Sequence, residues 1–135
     1  MESHLSIHQV ATRTGLTAYT LRYYERIGLL APVARAAGGQ RRYAAADMDW
    51  LEFLLRLRAT GMSIQGMQVF AQLRSEGHTT AAARRQMLEQ HHATVLAQIA
   101  SLQQSAQVLH QKIAHYRAVE RAHPQADKTL KRKQL

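Results

Sequence analysis

No cysteine occurs anywhere in the 135 residues. Disulfide scaffolds, thiolate zinc sites, cysteine nucleophiles and thiol redox sensing are thereby excluded on chemistry alone. Proline (two) and glycine (seven) are scarce and aromatics make up only 6% of the chain, whereas apolar residues make up 46%. That balance predicts a mainly α protein with few breaks in its helices. No apolar run approaches the roughly 18 residues that a membrane span needs, and the opening MESHLSIHQV lacks the apolar core of a secretory signal. A soluble, cytoplasmic protein with no membrane partner is expected. Paired carboxylates and a nucleophile beside a base are missing too, and Gly38-Gly39 is not followed by the Lys and Ser or Thr of a phosphate loop. The sequence therefore predicts neither an enzyme nor a cofactor.

Acidic residues are also in short supply: 18 Lys and Arg face 9 Asp and Glu, a formal charge of +9. Residues 1–43 hold six Arg against Glu2 and Glu25, whereas residues 44–78 are close to balance. A basic head points to a polyanion, most simply nucleic acid. At about 150 residues per domain, the length allows one domain, or a small one with an extension.

Ser6-Ile-His-Gln9 fits a capping box, so a helix opens there and Gly15 closes it. Thr17 is a second N-cap, opening a helix over Ala18 to Ile27 that Gly28 ends. Ala11, Gly15 and Leu21 have the spacing of a helix-turn-helix: a small residue at the crossing, a glycine for the positive-φ turn, and an aliphatic anchor on the second helix. Leu29 to Tyr43 then reads LLAPVARAAGGQRRY, in which Pro32, Gly38 and Gly39 break helix periodicity. A small hairpin with the glycines at its tip is expected, carrying Arg35, Gln40, Arg41, Arg42 and Tyr43 as a wing against a phosphate backbone. Two further helices follow. The first carries Met48, Trp50, Leu51, Leu54, Leu55 and Leu57 inward up to Gly61; the second, capped by Ser63, carries Ile64, Met67, Phe70 and Leu73 inward.

From Thr79 or Thr80 to about Ala122 nothing breaks the helix, which at 1.5 Å per residue gives a rod of about 60 to 65 Å. Leu88, His92, Val95, Ile99, Leu102, Ala106, Leu109, Ile113 and Tyr116 alternate in steps of four and three, which is a coiled-coil seam. The chain is thus expected to pair with a second copy as a homodimer. The organisation read from the sequence is a head over residues 5–76, a dimerisation helix over 79–122, and a basic, disordered tail over 123–135.

On the helix from Ala18, Leu21 and Tyr24 face the core by spacing, leaving Tyr19, Arg22, Tyr23 and Arg26 outward. Arg is the side chain best able to meet a guanine edge or a phosphate with two parallel hydrogen bonds, and Tyr offers a stiff hydroxyl. The strings Ile7-His-Gln-Val-Ala-Thr-Arg-Thr-Gly-Leu-Thr17, Thr20-Leu-Arg-Tyr-Tyr-Glu-Arg-Ile-Gly-Leu-Leu30 and Gly39-Gln-Arg-Arg-Tyr43 together strongly resemble the MerR family of bacterial transcription regulators. The resemblance covers residues 5 to about 75 by motif and 79–122 only by architecture. It implies a winged helix-turn-helix head and a long helix that pairs antiparallel in a homodimer. It also implies that Thr17 lies near a phosphate, that Tyr19 and Arg22 make recognition-helix contacts, that Tyr23 meets backbone or base, and that Arg41 is the wing arginine. Gln40 stands where the family often has an aromatic, and Ala18 offers no hydrogen bond where a polar residue could read a base. The implied activity is binding of double-stranded promoter DNA, with bending or untwisting that realigns the elements read by RNA polymerase in response to an effector.

Family members that sense metals or oxidants usually do so through cysteines, which this chain lacks. His91, His92, His110 and His115 are the remaining metal or proton ligands on the long helix, but adjacent histidines project about 100° apart and do not share one metal easily, so no metal site is expected. A small organic effector between head and coil, or effector-free architectural regulation, remain as readings. A coiled-coil interaction protein is the alternative to a DNA regulator.

Overall fold

The computed structural model describes residues 4–124, so the basic tail expected over 123–135 lies almost wholly outside the described residues. The elements follow in the order β1 (Leu5–Ser6), α1 (Ile7–Thr14), α2 (Ala18–Arg26), β2 (Arg42–Tyr43), α3 (Ala45–Ala59), α4 (Ile64–Ser75), a 3-10 turn (Gly77–Thr80) and α5 (Ala81–Ala122). The chain divides into two units, Met1–His91 and His92–Leu135. The first three turns of α5 therefore belong with the head.

Local chemistry explains most of the helix ends. The Gln9 backbone N–H donates to Ser6 Oγ at 3.2 Å while the Gln9 side chain accepts from the Ser6 N–H at 2.8 Å, and the two bonds close the capping box that opens α1. Gly15 ends the helix at φ 75, the left-handed conformation that a Cβ would penalise, with its N–H donating back to Ala11. Thr17 Oγ1 accepts from the Thr20 N–H at 3.0 Å and so starts α2. Ser63 does the same for α4 through Gly66, and Asp47 reaches the Ala44 N–H at the start of α3.

The head core collects Val10 of α1, Leu21 and Tyr24 of α2, the following Leu29 and Leu30, five side chains of α3, and Met67 and Phe70 of α4. Trp50 stacks on Phe70 with ring centroids 5.8 Å apart, and the Arg74 guanidinium lies 4.4 Å from the Trp50 ring. The chain leaving α2 is pinned by two side-chain donors: Trp50 Nε1 to the Leu29 carbonyl and Gln68 Nε2 to the Ile27 carbonyl, both at 2.9 Å. Ile64, Leu73 and Leu55, read as inward from spacing, are only half-buried.

The wing departs from the expected simple hairpin. Its two arms meet through one bridge, Arg35 to Arg41, with the Ala36 N–H donating to Gln40 at 2.7 Å and the Arg42 N–H to Ala34 at 2.8 Å. Gly39 sits at the tip at φ 83. Beyond the bridge the second arm becomes β2, which pairs antiparallel with β1 in the register Leu5 to Tyr43 and Ser6 to Arg42. The pairing anchors the wing on the residues before α1 and turns Tyr43 inward.

Tyr43, grouped with the DNA-facing wing residues by the sequence, is 2% exposed and belongs to the core. Alternation along β2 explains the difference, because Arg42 takes the outer face and Tyr43 the inner one. The Tyr43 hydroxyl meets no hydrogen-bonding group among the described residues. Burial pushes its pKa up, opposed by the Arg41 cation and reinforced by the Glu25 and Asp47 carboxylates.

In the head portion of α5, Met87 and Leu88 pack against the core, and His91 Nε2 lies 2.7 Å from Thr60 Oγ1. Leu88, which the heptad count places in the seam, is half-buried and also packs against its own head. From His92 onward the helix buries nothing; Ile99, Leu102, Leu109, Ile113 and Tyr116 are exposed, Val95 is half-buried, and Leu96 and Val108 add exposed apolar surface that the seam did not include. No helix among the described residues is long and apolar enough to cross a membrane.

Two measurements test this core. Leu51 is 1% exposed, and Leu51→Ala is expected to lower unfolding free energy by about 2 to 5 kcal/mol in urea titrations. A loss well under 1 kcal/mol would remove Leu51 from the core. Tyr43 is neutral in folded and unfolded chains at pH 7. Above about pH 10 the unfolded chain ionises first, so stability falls as pH rises from there through the raised folded value. Tyr43→Phe is expected to keep stability at pH 7 within about 1 kcal/mol and to reduce the alkaline loss; an equal alkaline loss in both chains would assign that titration to other groups.

Candidate nucleic-acid interface

The outward face of α2 gathers what the sequence assigned to it. Tyr19 is 70% exposed and Tyr23 38%, with Arg22 and Arg26 also exposed. Leu21 and Tyr24 take the opposite face and are buried, as the spacing predicts. The Arg26 guanidinium lies 5.6 Å from the centre of the Tyr23 ring, and Tyr23 packs at 6.3 Å against buried Tyr24. Outer aromatic and cation are in this way stiffened from below, which lowers the side-chain entropy lost when they meet a partner. From the core side, Arg58 Nη1 donates to the Tyr24 hydroxyl at 2.6 Å. Thr17, at the head of α2, is exposed, and its hydroxyl already accepts from the Thr20 N–H and donates to the Thr20 hydroxyl.

The wing brings three further charges. Arg42 is exposed on β2, and Arg35 is exposed with Nη1 donating 2.8 Å to the Gly39 carbonyl, which braces the tip. Gln40 is exposed beside that tip. Arg41 differs: its Nε donates to Glu25 Oε2 at 2.6 Å, and the two side chains are only 20% and 15% exposed. The guanidinium therefore ties the wing to α2 across 16 positions of sequence.

Of the nine residues assigned to the interface by sequence, seven are exposed, Arg41 is half-buried in an ion pair, and Tyr43 is in the core. Sequence reasoning missed Glu25, Arg35's brace on the tip, and Arg58 beneath Tyr24. Glu25 stands in the same TLRYYE string as Arg22, but an acid in a basic segment gives no sign of its partner until the chain folds back. The surface that results is an aromatic and cationic helix face with a basic hairpin attached, of a chemistry suited to phosphates and base edges. Among the described residues no group of three or more His, Asp or Glu is disposed to hold a metal ion.

Comparison with known proteins agrees with that geometry. Residues 5–73 match the MerR HTH family regulatory protein family, and residues 48–112 match the MerR, DNA binding family. The transcriptional regulator AdhR of Bacillus subtilis is 45% identical over 84 residues, which is 62% of this chain and 60% of AdhR. An uncharacterised HTH-type transcriptional regulator of Haemophilus influenzae is 37% identical over 108 residues, 80% of each chain. Among solved structures, HiNmlR, described as a MerR family regulator lacking the sensor domain and bound to promoter DNA, superposes with a TM-score of 0.82 at 34% identity, covering 90% of this chain and 96% of that one. A MerR family regulator from Listeria monocytogenes gives 0.81 at 31% identity, covering 95% and 98%. Family match, sequence identity and superposition thus agree, and the chain belongs to the MerR family of helix-turn-helix transcription regulators.

Proposed function

We propose that the chain is a sequence-specific regulator that grips double-stranded promoter DNA in the cytoplasm as a homodimer. The observation that carries the reading is the α2 face: Tyr19, Arg22, Tyr23 and Arg26 stand outward together on a helix whose other side is locked into the core. Thr17 at the helix start and Gln40, Arg41 and Arg42 on the wing supply the flanking phosphate contacts in this reading. A structural neighbour at 34% identity bound to promoter DNA supports it.

The second copy is inferred from α5. A helix in a protein gains most of its stability from packing an apolar face, yet α5 has 42 residues and none of them buried. Leu88, Val95, Ile99, Leu102, Leu109, Ile113 and Tyr116 follow the heptad rhythm along one side and are the proposed seam, in an antiparallel pair as in the family the sequence resembles. Two heads held by one seam would grip two half-sites, and their phosphate contacts would offset a duplex deformation costing a few kcal/mol. Bending or untwisting would then present the promoter to RNA polymerase, with a small organic effector shifting the balance. A second reading, regulation without an effector, is favoured by the neighbour described as lacking the sensor domain, because the present chain covers 96% of it.

Arg22→Ala is expected to weaken binding to a duplex selected from genomic fragments by about 1 to 3 kcal/mol with the helix content unchanged. Affinity equal to the parent's in fluorescence anisotropy would strike Arg22 from the contact set. Leu102→Asp puts an unpaired charge in the seam and is expected to yield single subunits by light scattering; a mass equal to the parent's would count against the seam.

A further inference from the structure

Glu25 is the one acid of α2, on the helix whose outer face carries Arg22 and Arg26. A carboxylate so close to a phosphate-binding surface repels DNA, and a long-range electrostatic account would have it absent. The structure gives it another task. Glu25 Oε2 holds Arg41 by Nε at 2.6 Å, in a pair that is mostly shielded from water and so is less weakened by salt than a surface bridge. Arg41 lies on the second arm of the wing, bridged to Arg35 on the first. Its two terminal nitrogens make no hydrogen bond among the described residues, so the guanidinium is fixed by one edge and keeps four donors unspent.

We propose that Glu25 is a positioning residue for DNA recognition: by gripping Arg41 through Nε, it fixes the attitude of the wing to α2 and aims the remaining guanidinium donors at a phosphate. The inference rests on the reading that α2 and the wing face DNA together. Its consequence runs against simple electrostatics. A mere repulsive charge, when removed, raises affinity for every duplex. A positioning carboxylate, when removed, lowers affinity for the matched duplex and leaves or raises affinity for an unmatched one, because only the matched site depends on helix and wing contacting together. Lysine at position 41 is a poor substitute, since its donors all sit on one nitrogen and lack the planar fork that lets Arg41 give Nε to Glu25 and hold a separate pair of nitrogens in a fixed direction.

The test uses the full chain and two probes: a duplex recovered by the parent from genomic fragments, and a scrambled duplex of the same length and composition. Glu25→Gln preserves size and removes the charge. The expected result is an affinity loss for the recovered duplex on the order of tenfold, with the scrambled duplex bound as well as or better than by the parent. In an Arg41→Gln background the Glu25→Gln change should cost nothing more, and Arg41→Lys should behave like Arg41→Gln. Thermal unfolding of each variant accompanies the titrations. Three outcomes would overturn the proposal: a rise for both duplexes, which makes Glu25 a repulsive charge only; a parallel fall for both with a lowered unfolding midpoint, which makes the pair a stability element only; or additive costs in the double variant. A parent that binds neither duplex at low salt would instead sink the DNA-binding reading itself.

Discussion

A nine-residue helix does not persist in water by itself, and the outward Tyr19, Arg22, Tyr23 and Arg26 all stand on such a helix. The controlling constraint is therefore the burial of the inner side of α2. Leu21 and Tyr24 go into the core, Thr17 satisfies the opening amide, and the chain after the helix is fastened by donors from Trp50 and Gln68. Those fastenings come from α3 and α4, so the two later helices act as the foundation on which a short reading element is mounted. Each removes a carbonyl from competition with water and narrows the range of angles at which Tyr19 and Arg22 project.

The wing solves a related difficulty with less material. Two short arms with few β-branched residues make a poor hairpin, and an unsupported one is marginal at best. Here the second arm is held three times over: by the bridge to Arg35, by pairing with the strand before α1, and by the carboxylate of α2. Tyr43 serves this support from beneath. Its ring fills the core under the sheet, which is why a residue that directly follows Arg41 and Arg42 along the chain is not itself on the surface.

Local chemistry was legible in the sequence, and long-range pairing was not. Ser6 with Gln9, Gly15 and Thr17 could be read because each acts on backbone within four residues of itself, and the two faces of α2 followed from helical spacing. The pairing of Leu5 with Tyr43 had no local sign, since a two-residue strand is too short to show alternation. The Glu25 to Arg41 tie was hidden for the same reason of separation. The contact of Leu88 with the head core was not legible either: a heptad rhythm continues smoothly through the point at which the helix stops serving its own head, and periodicity alone does not say which neighbours a stripe touches.

The sheet that joins Leu5–Ser6 to Arg42–Tyr43 makes the first described residues a mechanical part of the wing. Whatever displaces Leu5 or Ser6 pulls directly on the arm of the hairpin that carries Arg41 and Arg42. Labels and fusions intended to leave operator reading untouched belong at the other end of the polypeptide.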